Sequence, residues 1–317
     1  MKKIFVAGHK GMVGSAICRR LSGLNNVQLI TKNREHLDLC NSHAVQNFFS
    51  HVRPDIVVIA AAKVGGILAN SKYPAEFIYQ NLQIQNNVIH EAFKVNVQKL
   101  LFLGSSCIYP KLSRQPIHES SLLSGKLETT NEPYAIAKIA GIKMCESYNR
   151  QYNCDFRCVM PTNLYGPGDN YHRENSHVIP ALLRRFHEAK VQSLDSVSVW
   201  GSGCQMREFL YVDDLADACV FVLSLPRPVY EQHTMQSGLP INVGTGEDLS
   251  IADLSKIVAS VVGFEGKIEF DTTKPDGAPR KLLNVEKLNQ LGWRARTKLF
   301  EGLTATYKIC LENGQFE

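Results

Sequence analysis

The sequence predicts an α/β protein: a doubly wound parallel sheet with a smaller C-terminal ligand-binding domain. Three observations predict it. Apolar runs at Lys3–Ala7, Val27–Thr31, Asp55–Ala61, Lys99–Gly104 and Phe156–Met160 show little polar alternation, as strands buried on both faces of a parallel sheet do. Helix-like stretches at Val13–Ser22, His43–His51, Asn81–Lys94 and Tyr134–Tyr152 lie between them, and strands alternating with helices build such a sheet. A glycine-rich segment then joins the first strand to the first helix.

That segment reads Gly8-His9-Lys10-Gly11-Met12-Val13-Gly14. Its glycines permit a tight turn, a close approach of backbone to a pyrophosphate, and a helix seated against the sheet. The helix N-terminus offers free N–H groups and a positive dipole end. The fold is therefore of Rossmann type, with a dinucleotide site. A NAD site would carry an acid at the end of the second strand for the ribose 2′-hydroxyl. This chain has Lys32-Asn33-Arg34 there, with Glu35 only afterwards. Lys10 and Arg34 suit a 2′-phosphate, hence NADPH; the bland alternative is that both are solvated surface charges.

Beyond Leu164-Tyr165-Gly166-Pro167-Gly168-Asp169-Asn170 the character changes: polar loops, short patterned pieces and both tryptophans. Phe209–Leu225 reads as a helix and Pro240–Gly244 as a strand returning to the first sheet. The expected division is a discontinuous one, with residues 1–165 and 209–245 forming the cofactor domain and the rest of 166–317 the substrate domain.

Composition narrows the class. A chain of 317 residues with 44% hydrophobic and 21% charged residues is ordinary for a globular protein. No apolar run approaches the roughly 20 residues of a membrane span. The basic N-terminus resembles a secretory leader, but Gly8-His9-Lys10 ends the apolar stretch too early. Nine cysteines without paired or zinc-type spacing read as free thiols in a reducing compartment, so the expected location is the cytoplasm and no metal is expected. A net charge of +5 is too modest for a dedicated nucleic-acid binder and suits a phosphorylated ligand.

The reacting groups follow. Tyr134 and Lys138 are four apart on a helix and share a face. A lysine ammonium beside a phenol is expected to lower the phenol's pKa toward a useful range. Ser105 and Cys107 follow the strand Lys99–Gly104, and alternation along an extended chain would aim both the same way, at the carboxyl end of the sheet where such folds bind ligands. Ser105 can share a substrate carbonyl with Tyr134. Cys107 is either a reacting thiol or a buried structural one. His177 opens a helical run, Val178–Ala189, and is a proton donor or acceptor near neutrality; nothing local places it opposite Cys107. Arg185, Arg207, Arg280 and Lys281 are cations able to grip a pyrophosphate, or simply solvated charges. Trp200 offers a plane for a base, or a core residue.

With these residues assembled, the chain resembles the extended short-chain dehydrogenase/reductase family over nearly its whole length. The resemblance rests on the glycine-rich turn, Ala60-Ala61-Ala62-Lys63-Val64-Gly65-Gly66-Ile67, Gly104-Ser105-Ser106-Cys107-Ile108-Tyr109-Pro110, Asn131-Glu132-Pro133-Tyr134-Ala135-Ile136-Ala137-Lys138, Pro161-Thr162-Asn163-Leu164-Tyr165-Gly166-Pro167, and Lys274-Pro275-Asp276-Gly277 continuing to Lys281. It implies an enzyme that epimerises a GDP-4-keto-6-deoxy-mannose at C3 and C5 and reduces it at C4 with NADPH. A sister activity on the 3-deoxy analogue, inverting C5 alone, would share the same residues. A non-catalytic NADP-binding regulator would have no use for Ser105, Tyr134 and Lys138 together.

The resemblance also implies roles. Cys107 is the base and His177 the acid of epimerisation. Tyr134 supplies the proton in reduction, Lys138 holds its charge and the nicotinamide ribose, and Ser105 steadies the carbonyl. The cofactor is held by Gly8 to Gly14, Arg34, the strand end Leu103, Gly104, Ser105 and Ser106, then Lys138, Pro161, Thr162, Asn163, Leu164 and His177. Arg185, Trp200, Arg207, Asp276 and Lys281 hold the GDP-sugar. A homodimer through Asn81–Lys94 and Tyr134–Tyr152 is implied. Lys10 stands where the family usually has arginine, which loses bidentate phosphate contact and weakens the expected preference for NADPH.

Overall fold

A computed structural model describes residues 1–173, 176–234, 240–274 and 276–316, apart from the side chains at 67 and 68. The elements run β1 (Lys2–Ala7), α1 (Met12–Ser22), β2 (Val27–Ile30), α2 (Ser42–Val52), β3 (Ile56–Ile59), α3 (Ile67–Lys72), α4 (Pro74–Lys94), β4 (Lys99–Leu103), α5 (Glu132–Tyr152), β5 (Phe156–Pro161), β6 (Asn163–Tyr165) and α6 (Val178–Val191). They continue with β7 (Ser196–Trp200), β8 (Met206–Tyr211), α7 (Val212–Ser224), α8 (Arg227–Thr234), β9 (Ile241–Val243), β10 (Asp248–Ser250), α9 (Ile251–Val262), β11 (Lys267–Asp271), β12 (Arg280–Lys281), α10 (Glu286–Gln290) and α11 (Leu299–Glu312).

The main sheet is parallel throughout, in the order β2-β1-β3-β4-β5-β9. Its unbroken apolar strands are explained by a core on each face. Phe5 and Ala7 of β1, with Leu100 and Phe102 of β4, pack against α2, α4 and α5. Ile4, Val6, Leu101 and Leu103 point the other way, against α1 and α7. Each large side chain so buried contributes about 1.5–3 kcal/mol, and the two-residue period of a strand assigns successive residues to opposite cores.

The expected strand return at 240–244 is present as β9, the sixth strand of this sheet. The expected helix at 209–225 is corrected: Met206–Tyr211 is the strand β8, and only Val212–Ser224 is helical. Phe209, Leu210 and Tyr211 are good strand formers and pair with β6. The helix begins where Asp213 and Asp214 can face its positive end.

A third core lies outside the main sheet. It gathers Leu182, Leu183 and Phe186 of α6, Leu254 and Val258 of α9, Leu303 of α11, Val197 and Val199 of β7, and Phe209 of β8. Around it β8 is a hub. It pairs antiparallel with β10, and parallel with β12 and β6, while β7 pairs with β11.

Candidate active site

The chain reverses direction across the main sheet at β1: β2 lies on one side and β3 on the other. Open α/β sheets bind ligands outside the carboxyl ends of the strands at such a point. A cavity of about 1070 Å³ opens there.

One end of the cavity fits a dinucleotide. Gly8 has a left-handed φ of +89°, and a Cβ on it would stand 2.6 Å from the Ala61 nitrogen. A Cβ on Gly14 would run into the Gly8 carbonyl oxygen. The turn therefore holds α1 close against the β1 and β3 ends only without side chains at these positions. No side chain caps the N-terminus of α1, which leaves its N–H groups for an anion. Lys10, Lys32 and Arg34 all line this end. The Arg34 side chain is 75% exposed and meets Asp38 only at 3.9 Å, so its guanidinium is available to a 2′-phosphate. The Asp38 carboxylate accepts the Cys40 N–H at 3.0 Å. His9 Nε2 and Asn33 Oδ1, 3.1 Å apart, tie the turn to the end of β2.

The other end holds the groups expected to react. Ser105, Cys107, Tyr134, Lys138 and His177 all line the cavity. The alternation argument for Ser105 and Cys107 is corrected, although both reach the cavity. The extended strand ends at Leu103, residues 106–108 form a 3₁₀ turn, and Ser105 caps it by accepting the Cys107 N–H at 3.3 Å. The turn, not a strand, aims Cys107.

Lys138 is 3% exposed. Its ammonium donates to the Leu103 carbonyl at 2.9 Å and lies 4.9 Å from the Phe102 ring centre and 5.8 Å from that of Tyr134. Burial pushes its pKa down to about 8, so the ammonium still predominates at pH 7. The expected lowering of the Tyr134 pKa does not occur. Burial first, then the Cys107 charge, push the phenol up, against a hydrogen bond with Ser105 that pulls it down. Dense surroundings decide against the phenolate, and the ammonium is committed to a carbonyl. The consequence is chemical: at neutral pH Tyr134 holds its proton and is a donor.

His177 lies at the N-cap of α6. Its surface opens to the cavity, yet protein surrounds it on the other sides, and that burial lowers its pKa. That burial disfavours the imidazolium, and a diphosphate in the cavity would favour it.

The residues expected to hold the substrate divide. Arg207 and Lys281 line the cavity, as does Arg280, which is held by Asp248 at 2.6 and 3.0 Å. Arg185, Trp200 and Asp276 do not line it. Arg185 stacks on Trp200, 4.6 Å from the ring centre, and Lys274 lies 5.5 Å from it. The Asp276 carboxylate accepts the Ser202 N–H at 2.7 Å and the Ser202 hydroxyl at 2.9 Å. Pro275, in the motif quoted above, lies outside the described residues.

Of the cofactor residues, Gly8 to Gly14, Arg34, Leu103 to Ser106, and Pro161 to Leu164 all line the cavity. Sequence reasoning quoted Ala60 to Gly66 as a motif without giving it a role, and missed Leu37, Leu39 and Cys40; all of these line the cavity too. The run Ala60-Ala61-Ala62 was open to discovery, since it follows the strand beside β1. Leu37 and Leu39 were not, because apolar residues in an aperiodic loop carry no signal of what they face.

The profile of the NAD dependent epimerase/dehydratase family matches residues 4–242. A GDP-L-fucose synthase of Escherichia coli (strain K12) is 59% identical over 312 residues, 98% of this chain and 97% of that protein. A GDP-L-colitose synthase of Yersinia pseudotuberculosis is 35% identical over 310 residues, 98% of each chain. Among solved structures, a GDP-mannoheptose C4 reductase from Campylobacter jejuni with NADP bound matches with a TM-score of 0.86 at 38% identity, covering 97% of this chain and 98% of that one.

Proposed function

Since the chain belongs to the NAD dependent epimerase/dehydratase family, within the extended short-chain dehydrogenases/reductases, we propose that it converts GDP-4-keto-6-deoxy-D-mannose to GDP-L-fucose by 3,5-epimerisation and NADPH-dependent 4-reduction. The observation that carries this reading is one cavity holding two sets of groups: a reduction set of Ser105, Tyr134 and Lys138, and a thiol and an imidazole, Cys107 and His177, that reduction alone does not need.

The C4 ketone of the substrate acidifies the protons at C3 and C5. Cys107, as thiolate, removes one of them, and the electron pair passes into an enolate. His177 returns a proton to the opposite face, inverting the centre. Ser105 steadies the oxygen on which the enolate charge rests. When bound, NADPH supplies the hydride to C4. Tyr134, still protonated at neutral pH, gives its proton to the C4 oxygen, and Lys138 compensates the phenolate that remains. Arg207 and Lys281 stand where a diphosphate can be gripped. Residues 1–165 with 209–245 serve as the cofactor domain in this reading, and the remainder of 166–317 as the substrate domain.

Incubating the protein with NADPH and either GDP-4-keto-6-deoxy-D-mannose or its 3-deoxy analogue tests the assignment. GDP-L-fucose is the expected product of the first. Turnover of the 3-deoxy compound alone would transfer the assignment to the colitose activity, and NADPH oxidation with neither would overturn both.

We further infer a homodimer through α4 and α5, which pack against each other and leave Tyr79, Ile136 and Tyr152 at 61%, 40% and 48% exposure. Light scattering is expected to give twice the 35.4 kDa chain mass; a single-chain mass at micromolar concentration would refute it. All nine cysteines are free, which suits the cytoplasm.

A further inference from the structure

The resemblance gives Lys281 to the GDP-sugar. Its ammonium has another neighbour: Nζ lies 3.7 Å from Cys107 Sγ, within hydrogen-bond reach of a sulfur acceptor. The residues are 174 positions apart, so only the fold creates the contact. Lys281 is in register with Arg207 across the parallel pair β12 and β8, and Arg207 is close enough to Cys107 and Asp276 for their charges to act on it. Two cations thus stand near one sulfur.

The support behind them is built from buried hydrogen bonds. Glu208, next along β8 and therefore aimed away from Arg207, is fully buried. Its carboxylate accepts N–H groups of Thr245 at 2.7 Å, Gly246 at 2.8 Å and Leu283 at 3.0 Å. The last fixes the backbone two residues beyond Lys281. The other groups facing Cys107 are Tyr134 of α5, on which its charge acts, and the Ser105 hydroxyl, which receives its N–H. The nearby carboxylate, Asp276, is taken by Ser202.

We propose that Lys281 is the positioning residue that makes Cys107 a base: its ammonium donates to Sγ and favours the thiolate, with Arg207 as a second cation. The identity of the carbon acid rests on the function proposed above; the state of the sulfur does not. In the step, the C–H bond breaks, an S–H bond forms, and the electron pair enters the enolate. The sulfur proton then exchanges with water, restoring the thiolate beside the ammonium.

Alkylation by iodoacetamide, followed at each cysteine by peptide mass spectrometry across pH, tests this without substrate. In Lys281→Gln, alkylation of Cys107 at pH 7 is expected to slow about tenfold and to recover at higher pH. Lys281→Arg should stay near wild type. The exposed Cys204 is the internal reference and should not change. Equal Cys107 rates in wild type and Lys281→Gln would overturn the proposal. If Lys281→Gln unfolds, seen as rapid alkylation of the buried Cys219, the wild-type profile decides: Cys107 reacting at pH 7 no faster than Cys204 would sink it. A failed product assay alongside a Lys281-dependent thiol would separate this inference from the proposed function. With substrate, Lys281→Gln should lower kcat for proton exchange as well as raise KM; a rise in KM alone would leave Lys281 a substrate contact only.

Discussion

Tyr134→Phe is expected to abolish NADPH oxidation by the sugar nucleotide while leaving proton exchange at C3 and C5 measurable. The substitution removes one hydroxyl from a ring that also packs edge-on to Phe77 at 6.5 Å, so the packing survives. What is lost is the proton that meets the hydride at C4. Burial keeps that phenol protonated, and Ser105, the other group proposed for that oxygen, is an aliphatic hydroxyl. Loss of a positioned general acid costs roughly 10²–10⁴-fold in rate, or about 3–5 kcal/mol of barrier. Deuterium uptake by NMR and NADPH absorbance, measured in one sample, give both quantities. Exchange lost in parallel with oxidation would mean that Tyr134 also governs enolate formation, and the two chemistries would not be separable at this residue.

Cys107→Ser is the complementary case. A serine hydroxyl is a much poorer base than a thiolate, so deuterium uptake at C3 and C5 should fall by the same order, roughly 10²–10⁴-fold. NADPH affinity, read by fluorescence titration, should stay within about twofold, since the glycine turn and the α1 N-terminus that receive the pyrophosphate are untouched. Exchange at the wild-type rate would remove Cys107 from the base role, and with it the purpose proposed for Lys281.

Much of the fold was legible because it is local. An apolar run without alternation already states that both faces of its strand are covered, and Phe5 and Val6 do point into different cores. The glycine turn states its own geometry, since Gly8 needs a conformation that side chains rarely adopt. The boundary between β8 and α7 was less legible. Aromatic and aliphatic residues at 209–211 suit either state, and pairing with β6 chose the strand.

The site divides along the same line. The sequence by itself determined the parts: a cofactor turn, a Tyr134–Lys138 pair one helical turn apart, and a thiol and an imidazole of unknown partners. It could not determine their ionisation. Spacing predicted that Lys138 would lower the Tyr134 pKa, but the density around the phenol raised it instead, because desolvation depends on everything packed nearby and not on one neighbour. Nor could it bring Lys281 to Cys107. That contact depends on the register of β12 against β8 and on the 3₁₀ turn that aims the sulfur. The chain thus wrote down the candidate reacting groups, and tertiary packing decided which of them hold protons and which charges stand beside them, since a pKa is set by distance and burial rather than by position along the chain.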